Sequence, residues 1–192
     1  RFSYSGKVYI APSIDYGGKT YPVTSIGEYA FFSCEELTYV HIPTSVKSIA
    51  EYAFCYCYNL SSISIPSSVT SIGEWAFCDC DALAAITIPE GVTSIDGYAF
   101  YGCDKLASIT IPSTVTEIGG WSFWFTGLTS ITIPNAVTYI GTNPFGGCTE
   151  LEEIVVEDGN PVFDSRNGCN AIIRTSTNEL LSGCQNTVIP DD

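Results

Sequence analysis

Leu60-Ser61-Ser62-Ile63-Ser64-Ile65-Pro66-Ser67-Ser68-Val69-Thr70-Ser71-Ile72-Gly73-Glu74-Trp75-Ala76-Phe77-Cys78-Asp79-Cys80-Asp81-Ala82 is one unit of a sequence that repeats itself. Its Ser64-Ile65-Pro66 returns as Thr87-Ile88-Pro89, Thr110-Ile111-Pro112 and Thr132-Ile133-Pro134, with His41-Ile42-Pro43 upstream. The prolines step by 23, 23, 23 and 22 residues. Phe31, Phe54, Phe77, Phe100, Phe123 and Phe145 keep the same ruler, as do Leu37, Leu60, Leu83, Leu106, Leu128 and Leu151. The short step falls where Trp124-Phe125-Thr126-Gly127 replaces Tyr101-Gly102-Cys103-Asp104-Lys105. A period of this length marks a solenoid, in which no unit buries its own apolar face and stacked copies bury a continuous column.

Within the unit the hydrophobic period changes. Ile63 and Ile65 alternate with Ser62 and Ser64, the mark of a strand with one buried face. Proline ends that strand, because it cannot donate to a ladder. Val69 and Ile72 anchor a second short segment, and Gly73 is expected to allow a bend. Phe77, Cys80 and Leu83, three apart, predict a helical or 3₁₀ turn packed back on the sheet. The expected architecture is a right-handed, curved repeat solenoid of the leucine-rich-repeat type. It is mainly β with short 3₁₀ or helical turns, and a short parallel sheet forms one face.

The unit x-Ile-Pro-x-x-Val-x-x-Ile-Gly-x-x-Ala-Phe-x-x-Cys-x-x-Leu, over about residues 23–156, resembles the BspA-like family of leucine-rich repeats. That resemblance implies a surface or secreted product of a host-associated bacterium, with some protist members. It also implies adhesion to host proteins, other bacteria or glycans; no cofactor is expected. The recurring residues are the buried ones, so the motif speaks for fold and says little of a ligand.

Residues 1–22 depart from the repeat and read as an N-terminal cap hairpin, Val8-Tyr9-Ile10 and then Tyr16-Gly17-Gly18-Lys19-Thr20-Tyr21 giving two strands around a glycine-rich turn. About six repeats follow over 23–156. Residues 157–192 read as a C-terminal hairpin insert, with strands near Ala171–Arg174 and Leu180–Leu181, and the start of a further repeat at Thr187-Val188-Ile189-Pro190. The absence of methionine and this interrupted repeat suggest a piece of a longer protein.

Composition narrows the partner. The 192 residues carry 21 acidic and 7 basic side chains, a formal net charge of −14, which disfavours nucleic acid and anionic membranes. No stretch approaches the roughly 20 apolar residues of a membrane span. The expected location is extracellular or on the cell surface.

Stacking turns each repeat position into a column, and the exposed columns are the candidate sites. Tyr29, Tyr52, Trp75, Tyr98 and Trp121 form an aromatic column two residues before each core Phe, ending at Asn143, with Trp124, Phe32, Tyr56, Tyr58, Tyr101 and Phe125 nearby. Tyr and Trp are interface hot-spot types. They also stack on sugar rings; mutual packing that stiffens this side is the structural alternative. Ser64, Thr87, Thr110 and Thr132 face outward from the strands, bounded by Tyr39 and His41 at one end and Glu152 and Glu153 at the other. These hydroxyls suit any exposed sheet and also a recognition floor for peptide or glycan.

Glu28, Glu51 and Glu74 make a short acidic column, read as a solvated edge with weak calcium binding as the lesser reading. Cys34, Cys57, Cys80, Cys103 and Cys148 lie on the inward face and read as a reduced core ladder, not a zinc site. Cys169 and Cys184, flanking the C-terminal hairpin, are the pair best placed for a disulfide. The single histidine, His41, has no recognisable triad partner, so the chain is not read as an enzyme. The functions in view are protein binding, carbohydrate or mucin binding through the aromatic column, and a structural spacer.

Overall fold

The structure, a computed structural model, describes residues 3–189 as a β-solenoid whose every turn carries two short strands and a run of tight turns. The first strand of each turn builds one face. Gly6–Tyr9 pairs in parallel with Leu37–His41, which pairs with Ser62–Ser64; Ala85–Thr87 pairs with Ser108–Thr110, and Ser130–Ile133 with Glu153–Val156. Alternation decides what each residue does: Ala85 and Thr87 are exposed while Ile86 and Ile88 are buried. Each proline then opens a turn, its carbonyl accepting from the valine three residues on, as in Val69 N–H to Pro66 and Val92 N–H to Pro89. A second, two-residue strand follows. Ser25–Ile26, Ser48–Ile49 and Ser71–Ile72 form one ladder; Ser94–Ile95, Glu117–Ile118 and Tyr139–Ile140 form another.

Gly73, Gly119 and Gly141, which follow three of the short strands, answer to space, not to a bend; Ala50 and Asp96 stand at the same position in other turns. A Cβ at Gly73 would lie 2.8 Å from the Glu51 nitrogen, and one at Gly119 would lie 2.4 Å from the Gly97 nitrogen. Neither glycine has a positive φ, so it is the close approach of the neighbouring turn that excludes a larger residue.

The third segment corrects the expected helical or 3₁₀ turn. Among the described residues the one 3₁₀ element is Arg166–Gly168, outside the repeats. In the repeats, tight turns follow one another. Ala53 N–H bonds to the Ala50 carbonyl and Cys57 N–H to Phe54, with Tyr52 (φ 54°) and Tyr56 (φ 63°) as the third residues, the mark of type II turns. The N–H groups of Tyr52, Phe54 and Tyr56 point forward instead, to the carbonyls of Glu74, Ala76 and Cys78 in the next turn. From Tyr52 to Cys57 the backbone N–H groups thus find partners alternately in the next turn and within their own.

Columns of side chains fill the interior. Phe31, Phe54, Phe77, Phe100, Phe123 and Phe145 stack with centroids 5.0–5.6 Å apart, and Leu37, Leu60, Leu83, Leu106, Leu128 and Leu151 line the core beside them. One column carries a defect. Ser122 takes the place of Ala53, Ala76 and Ala99, is fully buried, and its hydroxyl has no hydrogen-bond partner among the described residues. A buried hydroxyl left unpaired costs about 1–3 kcal/mol. Ser122→Ala is therefore expected to raise the stability by about 1 kcal/mol in urea unfolding; a loss of stability would show that the hydroxyl is satisfied.

At the N-terminus Tyr4 packs on Phe31 at 4.9 Å, and an antiparallel hairpin, Ser13–Tyr16 with Lys19–Pro22, turns at Gly17-Gly18. At the C-terminus Phe163–Asp164, Ala171–Arg174 and Glu179–Gly183 form an antiparallel sheet. Asn160 joins it to the last turn, donating to the Pro134 and Val137 carbonyls and accepting from the N–H groups of Val162 and Phe163. Of the expected further repeat, Thr187–Ile189 are described and Pro190 lies outside the described residues.

Candidate functional site

The candidate residues separate onto two faces. The first is an aromatic ridge. Tyr29, Tyr52, Trp75, Tyr98 and Trp121 stack ring on ring, with centroids 5.0, 5.8, 3.8 and 5.2 Å apart and planes within 13° of parallel. All five sit at positive φ, between 53° and 58°, the third position of a type II turn where glycine or asparagine is sterically at home. Asn143 occupies that position in the last turn, and Gly102 and Gly147 occupy the second left-handed column. A left-handed backbone costs a bulky residue roughly 1–2 kcal/mol, and a stacked aromatic pair returns about 0.5–1.5 kcal/mol. Stacking therefore roughly offsets the strain.

Mutual packing was one of the two readings open to this column, and it is the geometry found. It has a chemical consequence. Neighbouring rings cover one another's faces, so the column presents edges and hydroxyls along its length, and only its ends offer a ring face. Tyr29, at one end, is 49% exposed. The surrounding aromatics widen the ridge: Phe32 meets Tyr29 and Tyr56 edge-on at 5.4 and 5.3 Å, and Tyr101 lies 5.7 Å from Trp75. Trp124 meets Phe125 edge-on at 5.6 Å, and Phe125 is 49% exposed. Glu28, Glu51 and Glu74 run exposed beside the stack. Burial, then the Glu51 carboxylate, raises the Tyr52 phenol above its ordinary pKa. Among the described residues no three His, Cys, Asp or Glu side chains converge to hold a metal ion.

The strand face holds the rest. Ser64, Thr87, Thr110 and Thr132 are all exposed and, with Ser62, Ala85, Ser108 and Ser130, form two parallel rows. Register extends both rows beyond the repeats: Lys7 beside Tyr39 and Tyr9 beside His41 at one end, Glu153 beside Ser130 and Val155 beside Thr132 at the other. Sequence reasoning put Val8-Tyr9-Ile10 in the cap hairpin and so missed Lys7 and Tyr9 as members of this face; their strand instead pairs in parallel with Leu37–His41, a register that no repeat period announces.

The cysteine column is a hydrogen-bonded ladder. Cys57, Cys80, Cys103 and Cys148 each donate from sulfur to the carbonyl of a phenylalanine in the preceding turn, Phe31, Phe54, Phe77 and Phe123, at 3.0–3.3 Å. Burial pushes the Cys57 thiol up to about 12 and raises those of Cys80, Cys103 and Cys148 as well. Cys169 and Cys184 are free thiols, not a disulfide. Their sulfurs face the Ala171 and Asn170 carbonyls at 3.8 and 3.3 Å.

Comparison with known proteins agrees with this geometry. The sequence matches the family described as BspA type leucine-rich repeat region, in six copies, over residues 20–124 and 70–170. Among curated proteins none matches significantly. A leucine-rich cell surface protein of Faecalibacterium prausnitzii A2-165 is 32% identical, with a TM-score of 0.72 over 94% of this chain and 54% of its own. The pneumococcal vaccine antigen PcpA, 22% identical, superposes with a TM-score of 0.68 over 96% of this chain and 47% of its own. A leucine-rich-repeat protein of Eubacterium ventriosum, 24% identical, gives 0.70 over 88% and 46%. These last two share the fold. The chain spans about half the length of the solved relatives it matches. With the repeat unit, the stacked core and the family match in agreement, the chain belongs to the BspA-type leucine-rich-repeat family.

Proposed function

We propose that this chain is a non-catalytic, protein-binding repeat module of adhesion type, displayed at a cell surface or outside the cell, and that it engages its partner through the aromatic ridge. One observation carries the reading: five bulky aromatics hold a left-handed position that Gly or Asn would occupy without strain. Strained residues that the surrounding structure sustains gather at functional surfaces. Tyr and Trp, large and rigid, give up little entropy when they bind.

The ring geometry favours a protein over a glycan at this ridge. A sugar stacks on an open ring face, and here the faces are turned to one another along the column. Edges and phenol hydroxyls suit the mixed polar and apolar surface of a protein. The chain's relation to a leucine-rich cell surface protein supports the location.

The test is binding of the purified chain to immobilised extracellular-matrix proteins and mucin, at low and high salt, beside Trp75→Asn and Tyr98→Asn. Asparagine tolerates the left-handed backbone, so the fold survives while the ring is lost. Saturable, salt-resistant binding to a protein that each variant weakens at least about tenfold, the loss of one hot-spot contact, is the expected result. Binding to mucin alone would replace the reading with the glycan one. Capture of nothing, or of everything at low salt only, would leave a spacer with a net charge of −14.

A further inference from the structure

The N-terminal end of the strand face carries a cavity of about 320 Å³ lined by Lys7, Tyr9, Thr38, Tyr39, Ser61 and Ser62. Its volume falls at the lower end of the roughly 300–1,000 Å³ of small-ligand pockets. Three features set it apart from the rest of the molecule.

The first is charge. The chain carries a net −14, and among the described residues Lys7 is the one lysine or arginine on the strands of this face. It makes no ion pair among the described residues, and no carboxylate lines the cavity. By contrast, Glu74, Asp96 and Glu117 line a cavity of similar size elsewhere on the solenoid. The second is the aromatic platform. Tyr9 is 67% exposed and is inclined to both of its ring neighbours, at 58° to Tyr39 (5.7 Å) and 42° to His41 (6.1 Å), so neither ring lies flat on it. That is an open face of the kind the ridge offers only at its ends. The third is the floor. Thr38, Ser61 and Ser62 are short hydroxyl residues; Ser61 donates to the Thr38 carbonyl at 3.1 Å, which leaves its oxygen free to accept, and the Ser62 hydroxyl has no partner among the described residues.

An aromatic face for the C–H surface of a pyranose, hydroxyls for its hydroxyls and one cation for an acid group make up a single recognition chemistry. We infer that this cavity binds a carboxylated pyranose, a sialic or hexuronic acid unit, with its ring on Tyr9 and its carboxylate toward Lys7. The lining holds no aliphatic side chain to seat one from a peptide. The inference is independent of the aromatic ridge and stands or falls apart from it.

The test uses the full chain and titrates it by NMR with 3′-sialyllactose, a hyaluronan tetrasaccharide, neutral lactose and tetraglutamate. At least one acidic sugar is expected to bind about two- to fivefold tighter than lactose, as one exposed ion pair allows. Lys7→Gln should reduce that sugar to the lactose level, and Tyr9→Ser should abolish binding. Trp75→Asn on the ridge should change nothing. Whether the sialyl or the glucuronyl probe binds identifies the source of the carboxylate. Equal binding of lactose, absence of binding by both acidic sugars, an undiminished Tyr9→Ser variant, or tetraglutamate matching the sugars would each overturn the inference.

Discussion

Phe77→Ala is expected to cost about 3–5 kcal/mol, the range for a buried phenylalanine cut to alanine. Phe77 is fully buried and stacked on both faces, at 5.3 Å on Phe54 and 5.5 Å on Phe100, with planes within 2°. Hydrogen-bonded turns on each side hold the backbone and limit collapse into the hole. Total stabilities run to about 5–15 kcal/mol, so the variant should be marginal. Position adds to the effect. In a solenoid each turn is held by its neighbours alone, so a hole in the middle uncouples the two halves, and urea unfolding should broaden as well as shift. Phe31→Ala, at the end of the stack under Tyr4, should cost less. Equal losses at the two positions would show that the column does not act as a continuous stack.

Alkali should unfold the chain well before its backbone chemistry changes. Cys57 has its folded pKa pushed up to about 12, with burial the largest cause, against about 8.5 in an unfolded chain. The folded state holds the proton more tightly, so the stability this thiol contributes is fully present below about pH 8.5 and lost as the pH rises toward 12. At pH 10 the loss is roughly 2 kcal/mol for Cys57 alone. Cys80 and Cys103, fully buried and raised in the same direction, add losses of the same sign. Urea midpoints measured from pH 7 to 10 should fall steeply above pH 8.5, and Cys57→Ala should fall less steeply than the parent. A midpoint flat across that range would show that the thiols titrate freely and the ladder is open to water.

Most of the core was legible because burial repeats. Phe77 and Leu83 recur every 22 or 23 residues, and Cys80 does so except where Thr126 takes its place; a residue that must fill the same space in each turn betrays its direction. Conformation was less legible than direction. A spacing of three suits a helical turn and also a run of tight turns, and the choice was made by bonds between turns such as Tyr52 N–H to the Glu74 carbonyl, which no single unit contains. One signal was available: Asn143 falls in a column otherwise held by Tyr and Trp, Gly102 and Gly147 fall in one shared with Ser33, Tyr56, Asp79 and Phe125, and asparagine and glycine there mark a left-handed backbone. The ridge was visible as a column, but not the turning of its ring faces toward one another. That depends on the distance between turns, 3.8 Å between the rings of Trp75 and Tyr98. Lys7 and Tyr9 were missed because pairing outside the repeat has no period to give it away.

The central claim, that the ridge is the surface a protein partner occupies, is tested most directly by hydrogen exchange with the protein captured from the matrix panel bound and removed. New protection is expected over residues 28–32, 51–58, 74–79, 97–102 and 120–125, with the strands at 62–64, 85–87 and 108–110 unchanged. Protection confined to those strands would contradict the claim and move the partner to the hydroxyl face.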